Sequence, residues 1–341
     1  MKHLLRIGVF VATLAAAAAA ACPEEPLGVP EGPVAVSVAE PRVVHAAAFR
    51  WHDPARNRTV PATLYYPEGE DTGLPVVIFS HGLGRSRHAC AYLGRFWARH
   101  GYVSVHVEHA GSNEAVWRGT LRPKQHLRQA FYSPANRRNR ALDVRFAIDR
   151  LVELKQDDTP PGRRLDLERI GVVGHDFGAQ TALALAGAVL PGRVSYPDPR
   201  IKAVVAMSTP VPEGLSLSVA FGEIRVPCLH VTGTRDDSLV ATTRAGQRRL
   251  PFDHITATDQ YLVTFRGADH LIYAGHPVAF RNRDRHDAVY QRRLRVVTTL
   301  FWDAYLKENP EAREALTHGA LAAAAGPIGR VEQKTAAPPI Q

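Results

Sequence analysis

The stretch GVVGHDFGAQ, residues 171–180, runs from an apolar segment through a pair of glycines into an alanine-rich one. RIGVVG (169–174) predicts a strand, and AQTALALAGAVL (179–190) predicts a helix with so little polar surface that it should be buried. Between them, Gly174-His175-Asp176-Phe177-Gly178 predicts a tight turn. Strand, glycine turn and helix in this order form the setting of a nucleophile elbow, which in its G-x-S-x-G form carries serine at the middle position. Here that position is Asp176. A carboxylate at the start of a helix also has a simpler use, as a cap of the first turn.

Working outward, the same alternation repeats. VVHAAAF and TVPATLYYP are β-like runs separated by the turn-prone HDPARNR. PVVIFS (75–80) and YVSVHV (102–107) are short continuous apolar runs of the kind found in strands buried on both faces. Helices are expected at 87–100 and 137–155, and IKAVVAM (201–207), PCLHVTG (227–233) and QYLVTF (260–265) supply three more strands. A last helix over about 286–307 places Tyr290, Leu294, Val297, Phe301 and Tyr305 on one face. The fold class is therefore α/β, a mostly parallel central sheet covered by helices on both faces, in one domain over 41–307. Residues 208–226 are too few for a large cap domain, and 308–341, rich in Ala and Pro, read as a flexible tail.

Ligands of such sheets bind at the C-terminal ends of the strands. Three stations stand there. SHGLG (80–84) follows the strand at 75–80, and its turn presents the Leu83 N–H as a donor for a developing oxyanion. The elbow presents Asp176 and, behind it, the Phe177 N–H. GTRDDS (233–238) and GADH (267–270) follow two successive strands and offer Asp236, with Asp237 as its rival, and His270. Nucleophile, acid, histidine is the chain order of α/β-hydrolases.

Through TVPATLYYP, VVIFSHGLG, EHAGSNEAVW, GHDFGAQT, GTRDDS and GADH, residues 41–307 resemble the α/β-hydrolase superfamily, nearest the platelet-activating-factor-acetylhydrolase-like and dienelactone-hydrolase-like esterases. The resemblance implies hydrolysis of a small-molecule ester or lipid-like substrate without a cofactor. It also implies Leu83 and Phe177 as the oxyanion hole, Asp236 as the orienting acid and His270 as the base. Asp176 matches the nucleophile position and departs from it in residue type.

Three consequences of the aspartate are open at this stage. As an ester-attacking nucleophile it would form a mixed anhydride, and its charge would stand where the oxyanion must form, so ordinary esterase activity should be low. Superfamily members with an elbow Asp, the haloalkane dehalogenases and epoxide hydrolases, attack a saturated carbon instead. Their elbow Trp and HGxP station are absent here, where Phe177 and HGLG stand. The third reading is a catalytically impaired binding protein on a hydrolase fold.

The connection 108–140 is longer than usual. It is either a surface excursion or a cover over the active edge, with Trp117, Phe131 and Tyr132 as an apolar wall. Its cations, Arg118, Arg122, Lys124, Arg128, Arg137, Arg138 and Arg140, form either a solvated face or an attractor of an anionic substrate or lipid surface. His106 and His109 flank Glu108 without a third ligand at metal spacing, so no metal site is expected and the pair is at most an active-edge one.

The chain of 341 residues carries a formal charge of +9, with 45% hydrophobic and 22% charged residues, which suits a globular protein with a buried core. No alternation of basic and aromatic residues marks a nucleic-acid platform. Residues 1–22, with Lys2 and Arg6 ahead of an alanine-rich apolar run, read as an export signal. Small residues before Cys22 give two options, plain cleavage or a lipoprotein site that would tie the protein to a membrane surface. Residues 23–40 read as a linker, and Cys90 and Cys228 as separate buried thiols.

Overall fold

Alternation of buried side chains builds the sheet. In the strand Leu74–Ser80 every residue is buried, yet Val76 and Ile78 belong to one apolar cluster and Val77 and Phe79 to another. Successive side chains of a strand point to opposite faces, so a run that is apolar throughout needs cover on both. The computed structural model describes residues 42–157, 159–275 and 284–336. The expected export signal, the lipidation of Cys22 and the linker to residue 40 lie outside them.

The strands are β1 (Val44–Asp53), β2 (Arg58–Pro67), β3 (Leu74–Ser80), β4 (Val103–Val107), β5 (Leu165–His175), β6 (Ile201–Met207), β7 (Cys228–Arg235), β8 (Gln260–Asp269) and β9 (Gly329–Lys334). Among the described residues they form one nine-stranded sheet in the order β1-β2-β4-β3-β5-β6-β7-β8-β9. From β4 to β8 all neighbours are parallel, while β1, β2 and β9 pair antiparallel at the two sides. Because β3 lies between β4 and β5, the chain reverses its direction of travel across the sheet at β3. A crevice opens there at the C-terminal strand ends.

The helices are α1 (Ala91–Arg99), α2 (Pro123–Tyr132), α3 (Pro134–Gln156), α4 (Phe177–Leu185), α5 (Leu217–Phe221), α6 (Leu250–His254), α7 (Asp284–Tyr305), α8 (Pro310–Thr317) and α9 (Ala320–Ala325). On one face Leu93 and Trp97 of α1 and Leu294, Phe301 and Trp302 of α7 cover Val77, Phe79, Val173 and Val205. On the other, Val144, Ile148 and Leu151 of α3 and Leu183 and Leu185 of α4 cover Val76, Ile78, Val172 and Val204. Segment 208–226 holds only the short α5, so the fold has no large cap at this point. Cys90 and Cys228 are buried free thiols.

Among the boundaries that differ from the sequence reading, two have a clear cause in packing. The helix expected over 179–190 stops at Leu185, because Gly187 turns to φ 116 and a Cβ there would stand 3.0 Å from the Glu223 carbonyl. The flexible tail expected over 308–341 is ordered from 310 to 334. Leu316 and Leu321 of α8 and α9 are buried against the α7 face, and β9 pairs along β8 from Gln260↔Lys334 to Phe265↔Gly329. Composition hid this, since the alanines of α9 gain their burial from contact with α7, α8 and β9, elements set by the tertiary fold.

Ending the chain after Lys307 should therefore bare the β8 edge and both leucines. Each leucine contributes roughly 1.5–3 kcal/mol by burial. The expected outcome is a fall of roughly 10 °C or more in thermal midpoint by circular dichroism, together with self-association seen by light scattering.

Candidate active site

The turn after β5 is held by contact too close for any side chain. A Cβ on Gly174 would stand 2.1 Å from the Gly178 carbonyl group, and one on Gly178 would stand 1.8 Å from the Ser80 oxygen. These glycines let α4 start directly against the end of β3. Asp176 takes the strain, with φ 55 and ψ −118, a region that non-glycine residues enter at a cost of about 1–3 kcal/mol. Its side chain makes no capping bond to α4, which removes the capping reading.

The carboxylate goes instead to the two expected donors. Leu83 N–H donates to Asp176 Oδ2 at 3.2 Å, and the adjacent Phe177 N–H contributes to lowering the carboxylate's pKa. His81 sets the first donor. Its Nε2 accepts from the His109 N–H at 3.0 Å, so its Nδ1 carries the proton given to the Gly82 carbonyl at 2.7 Å. That carbonyl and the Leu83 N–H belong to one trans peptide and point opposite ways. Fixing the first therefore aims the second at Asp176.

On the other side stands His270. Its Nδ1 lies 2.8 Å from Asp236 Oδ1 and its Nε2 lies 3.7 Å from Asp176 Oδ1, beyond hydrogen-bond reach. Asp236 is fully buried. Its second oxygen accepts from Ser208 Oγ at 2.6 Å and Thr232 Oγ1 at 2.9 Å. The rival Asp237 turns outward and bonds the Ala245 N–H and Arg244. Burial pushes the Asp236 carboxyl up, but the His270 bond, Arg248 and Ser208 outweigh it and hold it below the usual range. Asp176 follows the same balance: burial raises it, and His270, His175, Arg248 and the Phe177 N–H bring it below its ordinary value. It stands as a carboxylate.

Several contributors escaped the sequence reading. Arg248 is buried, donates to the Asp236 carbonyl at 3.0 Å and to the Ser208 carbonyl, and lies 3.6 Å from Asp236 Oδ1. Its Nη2 is 3.3 Å from His270 Nδ1. The proton on that nitrogen is already directed to Asp236, so this contact is electrostatic. Ser208 had a signal, the first position after the strand IKAVVAM, at the same edge as Asp236. Arg248 had none, because its loop shows no pattern linking it to the sheet. His175 is held neutral, its pKa pushed down by burial to about 3, with its ring 4.8 Å from that of His270.

His106 and His109 are not an active-edge pair. Both are buried. His106 stacks on Phe79 and bonds the Ala89 carbonyl. His109 bridges Asp143 at 3.1 Å and Ser80 Oγ at 3.0 Å. Arg140, read as part of a basic loop face, is buried behind the elbow. It donates to Ser80, Ser112, Thr181 and the His81 carbonyl, and its guanidinium lies 4.6 Å from the Phe177 ring centroid.

A cavity of about 320 Å³ opens over Asp176, His175 and His270. The long 108–140 connection forms one wall of it, since Trp117, Leu127 and Phe131 line the cavity with Leu239 and Leu271. Tyr132, expected in that wall, turns away to bond Glu213. Larger clefts of about 440 and 560 Å³ lie elsewhere and include none of the predicted site residues. Among the described residues no group of three or more His, Cys, Asp or Glu is placed to hold a metal ion.

Residues 56–145 match the family model of platelet-activating factor acetylhydrolase, isoform II. The match spans β2 to the first half of α3 and so contains Leu83, while Asp176, Asp236 and His270 lie beyond it. The mostly parallel sheet covered by helices is consistent with an α/β-hydrolase fold, and the similarity over this segment supports a hydrolase of the esterase or lipase type.

Burial separates the two adjacent acids by stability. Asp236→Asn leaves the Arg248 guanidinium buried without its anion and should cost about 3–5 kcal/mol in urea denaturation. Asp237→Asn, on the surface, should leave the urea midpoint unchanged.

Proposed function

We propose that this protein is a hydrolase of a small or lipid-like molecule, in which the ester facing the oxyanion donors is one formed on Asp176 itself. The single observation that carries this reading is the division of labour between the two carboxylate oxygens. Oδ2 is the oxygen held by Leu83 N–H, while Oδ1 faces His270.

The proposed sequence has two halves. Asp176 Oδ1 attacks a saturated carbon of the substrate, and the bond from that carbon to its leaving group breaks, the electron pair departing with the leaving group. Asp176 is then an alkyl ester. In the neutral tautomer whose Nδ1 proton is given to Asp236, His270 Nε2 takes a proton from water. The hydroxide attacks Asp176 Cγ. Negative charge gathers on Oδ2, between the Leu83 and Phe177 N–H groups, where preorganised donors contribute most. Collapse expels the alkoxide, which takes the proton from His270 and leaves as alcohol, and the new Asp176 carboxyl releases its own proton to solvent. One carboxylate oxygen now comes from water. Asp236 holds the imidazole in the required tautomer and stabilises its charged form.

Epoxides and alkyl halides are the substrate classes with such a carbon. Phe177 offers no ring donor to a halide, and the Trp117 indole N–H is engaged by the Gly84 carbonyl at 2.7 Å. Acyl-ester cleavage is the second reading, favoured by the family match. For that reaction the Asp176 carboxylate is an obstacle, since it fills the place of the oxyanion.

Single turnover in heavy-oxygen water should place label in the Asp176 peptide, read by mass spectrometry. His270→Gln should stall after the first half and leave the protein heavier by the alkyl group. Turnover with no label and no adduct would exclude the covalent route. Asp176→Ser frees both oxyanion donors and should raise p-nitrophenyl acetate hydrolysis by roughly 10²-fold. No rise in a folded variant would remove the acyl-ester reading.

A further inference from the structure

Among the described residues, one cation lines the cavity without a partner. Arg85, one residue beyond the HGLG turn, lines the cavity beside Trp117, Leu127 and Phe131 and is partly exposed. Its backbone is pinned: its N–H bonds the Gly82 carbonyl at 3.2 Å, it bridges to Asn113, and the preceding Gly84 N–H bonds the Ser112 carbonyl at 2.8 Å. Its guanidinium makes no hydrogen bond or ion pair among the described residues.

The acids nearby in the chain are committed elsewhere. Glu114 serves Ser86 and Arg118, and Glu108 serves Asn113 and the Arg87 N–H. The other arginines of this neighbourhood are paired. Arg87 donates to the carbonyls of Phe49 and Ala62, and Arg140 and Arg248 are buried in their networks. The Arg85 charge is nonetheless felt at the site, where it disfavours protonation of His175 and His81. A planar five-donor cation held against an apolar wall is a receptor for a carboxylate or phosphate, which it can bind through two parallel hydrogen bonds.

We propose that Arg85 anchors an oxyanion group, a carboxylate or a phosphate, carried by the substrate. The inference builds on the assignment of this cavity as the active site. It names the substrate class as a short anionic molecule with its reactive carbon turned to Asp176. The volume of about 320 Å³ is at the small end of ligand cavities, which suits a compact acid. The anchor also answers an electrostatic need: Asp176 repels an anion, and a separate cation fixes which end of the molecule faces away from it.

Binding tests this without turnover, so the result stands apart from the fate of the aspartyl-ester mechanism. Pentanoate, propyl phosphate and the uncharged pentanamide are titrated into the full chain by calorimetry. The expected result is that one or both anions bind more tightly than pentanamide by about tenfold or more, the worth of one charge-assisted hydrogen bond. The pentanoate and propyl phosphate arms decide between carboxylate and phosphate. Arg85→Met, which keeps the apolar stem and removes no internal bond, should abolish the preference, and Arg85→Lys should retain part of it. Asp176→Asn should tighten the anions and leave pentanamide unchanged. The proposal is overturned if anions and amide bind alike, if nothing binds at millimolar concentration, or if Arg85→Met keeps the preference with an unchanged circular dichroism spectrum.

Discussion

The Ser80 carbonyl and the backbone of Gly178 lie so close that a single methyl group between them would sit 1.8 Å from the oxygen. Everything at the active edge depends on that approach. It brings the end of β3 and the start of α4 into contact, so the peptide N–H groups of Leu83 and Phe177 converge on one point. It also forces residue 176 into its positive-φ corner, pointing away from the helix and into the cavity. A side chain at either Gly174 or Gly178 would push the two oxyanion donors apart before it touched any chemistry.

Charge is arranged around this point in layers. Behind it, a chain of polar groups runs from Asp143 through His109 and Ser80 to Arg140. The His109 ring donates to the carboxylate and accepts from Ser80, which accepts from Arg140. Burial brings the Arg140 pKa down to about 9, and its guanidinium is buried against the Phe177 ring. Beside the site, Arg248 holds the Ser208 and Asp236 backbone together and compensates the Asp236 charge. In front, Asp176 and Arg85 face the cavity with opposite signs. A site with two structural cations and one free one tolerates a carboxylate where a hydroxyl is usual.

Much of this was legible in residue order. Each strand from β3 to β8 stood out because a strand buried on both faces must be apolar without interruption, and IKAVVAM matches β6 at both ends. Leu83, Asp176, Phe177, Asp236 and His270 were all named because turns at strand ends are marked by glycine and polar residues. Less legible were features fixed by packing between distant segments. The ordered 310–334 region has a composition shared by many loose tails, and its strand forms only because β8 offers an unpaired edge. Tyr132, offered with Trp117 and Phe131 as an apolar wall, instead bonds Glu213 from the end of α2, a helix whose orientation is set by what it packs against.

The amino-acid sequence by itself determined the α/β alternation, the stations at the strand ends and the presence of a carboxylate at the elbow, because these follow from local hydrophobic period and glycine geometry. Only the tertiary structure decided between Asp236 and Asp237, which are adjacent in the chain and differ in which one turns toward His270. It alone placed Oδ2 with the oxyanion donor and Oδ1 toward His270, and it alone left Arg85 unpaired while burying Arg140 and Arg248. The decisive contacts, Asp236 with His270 and Leu83 with Asp176, join groups 34 and 93 residues apart, and a direction in space between such groups is not written in any local pattern.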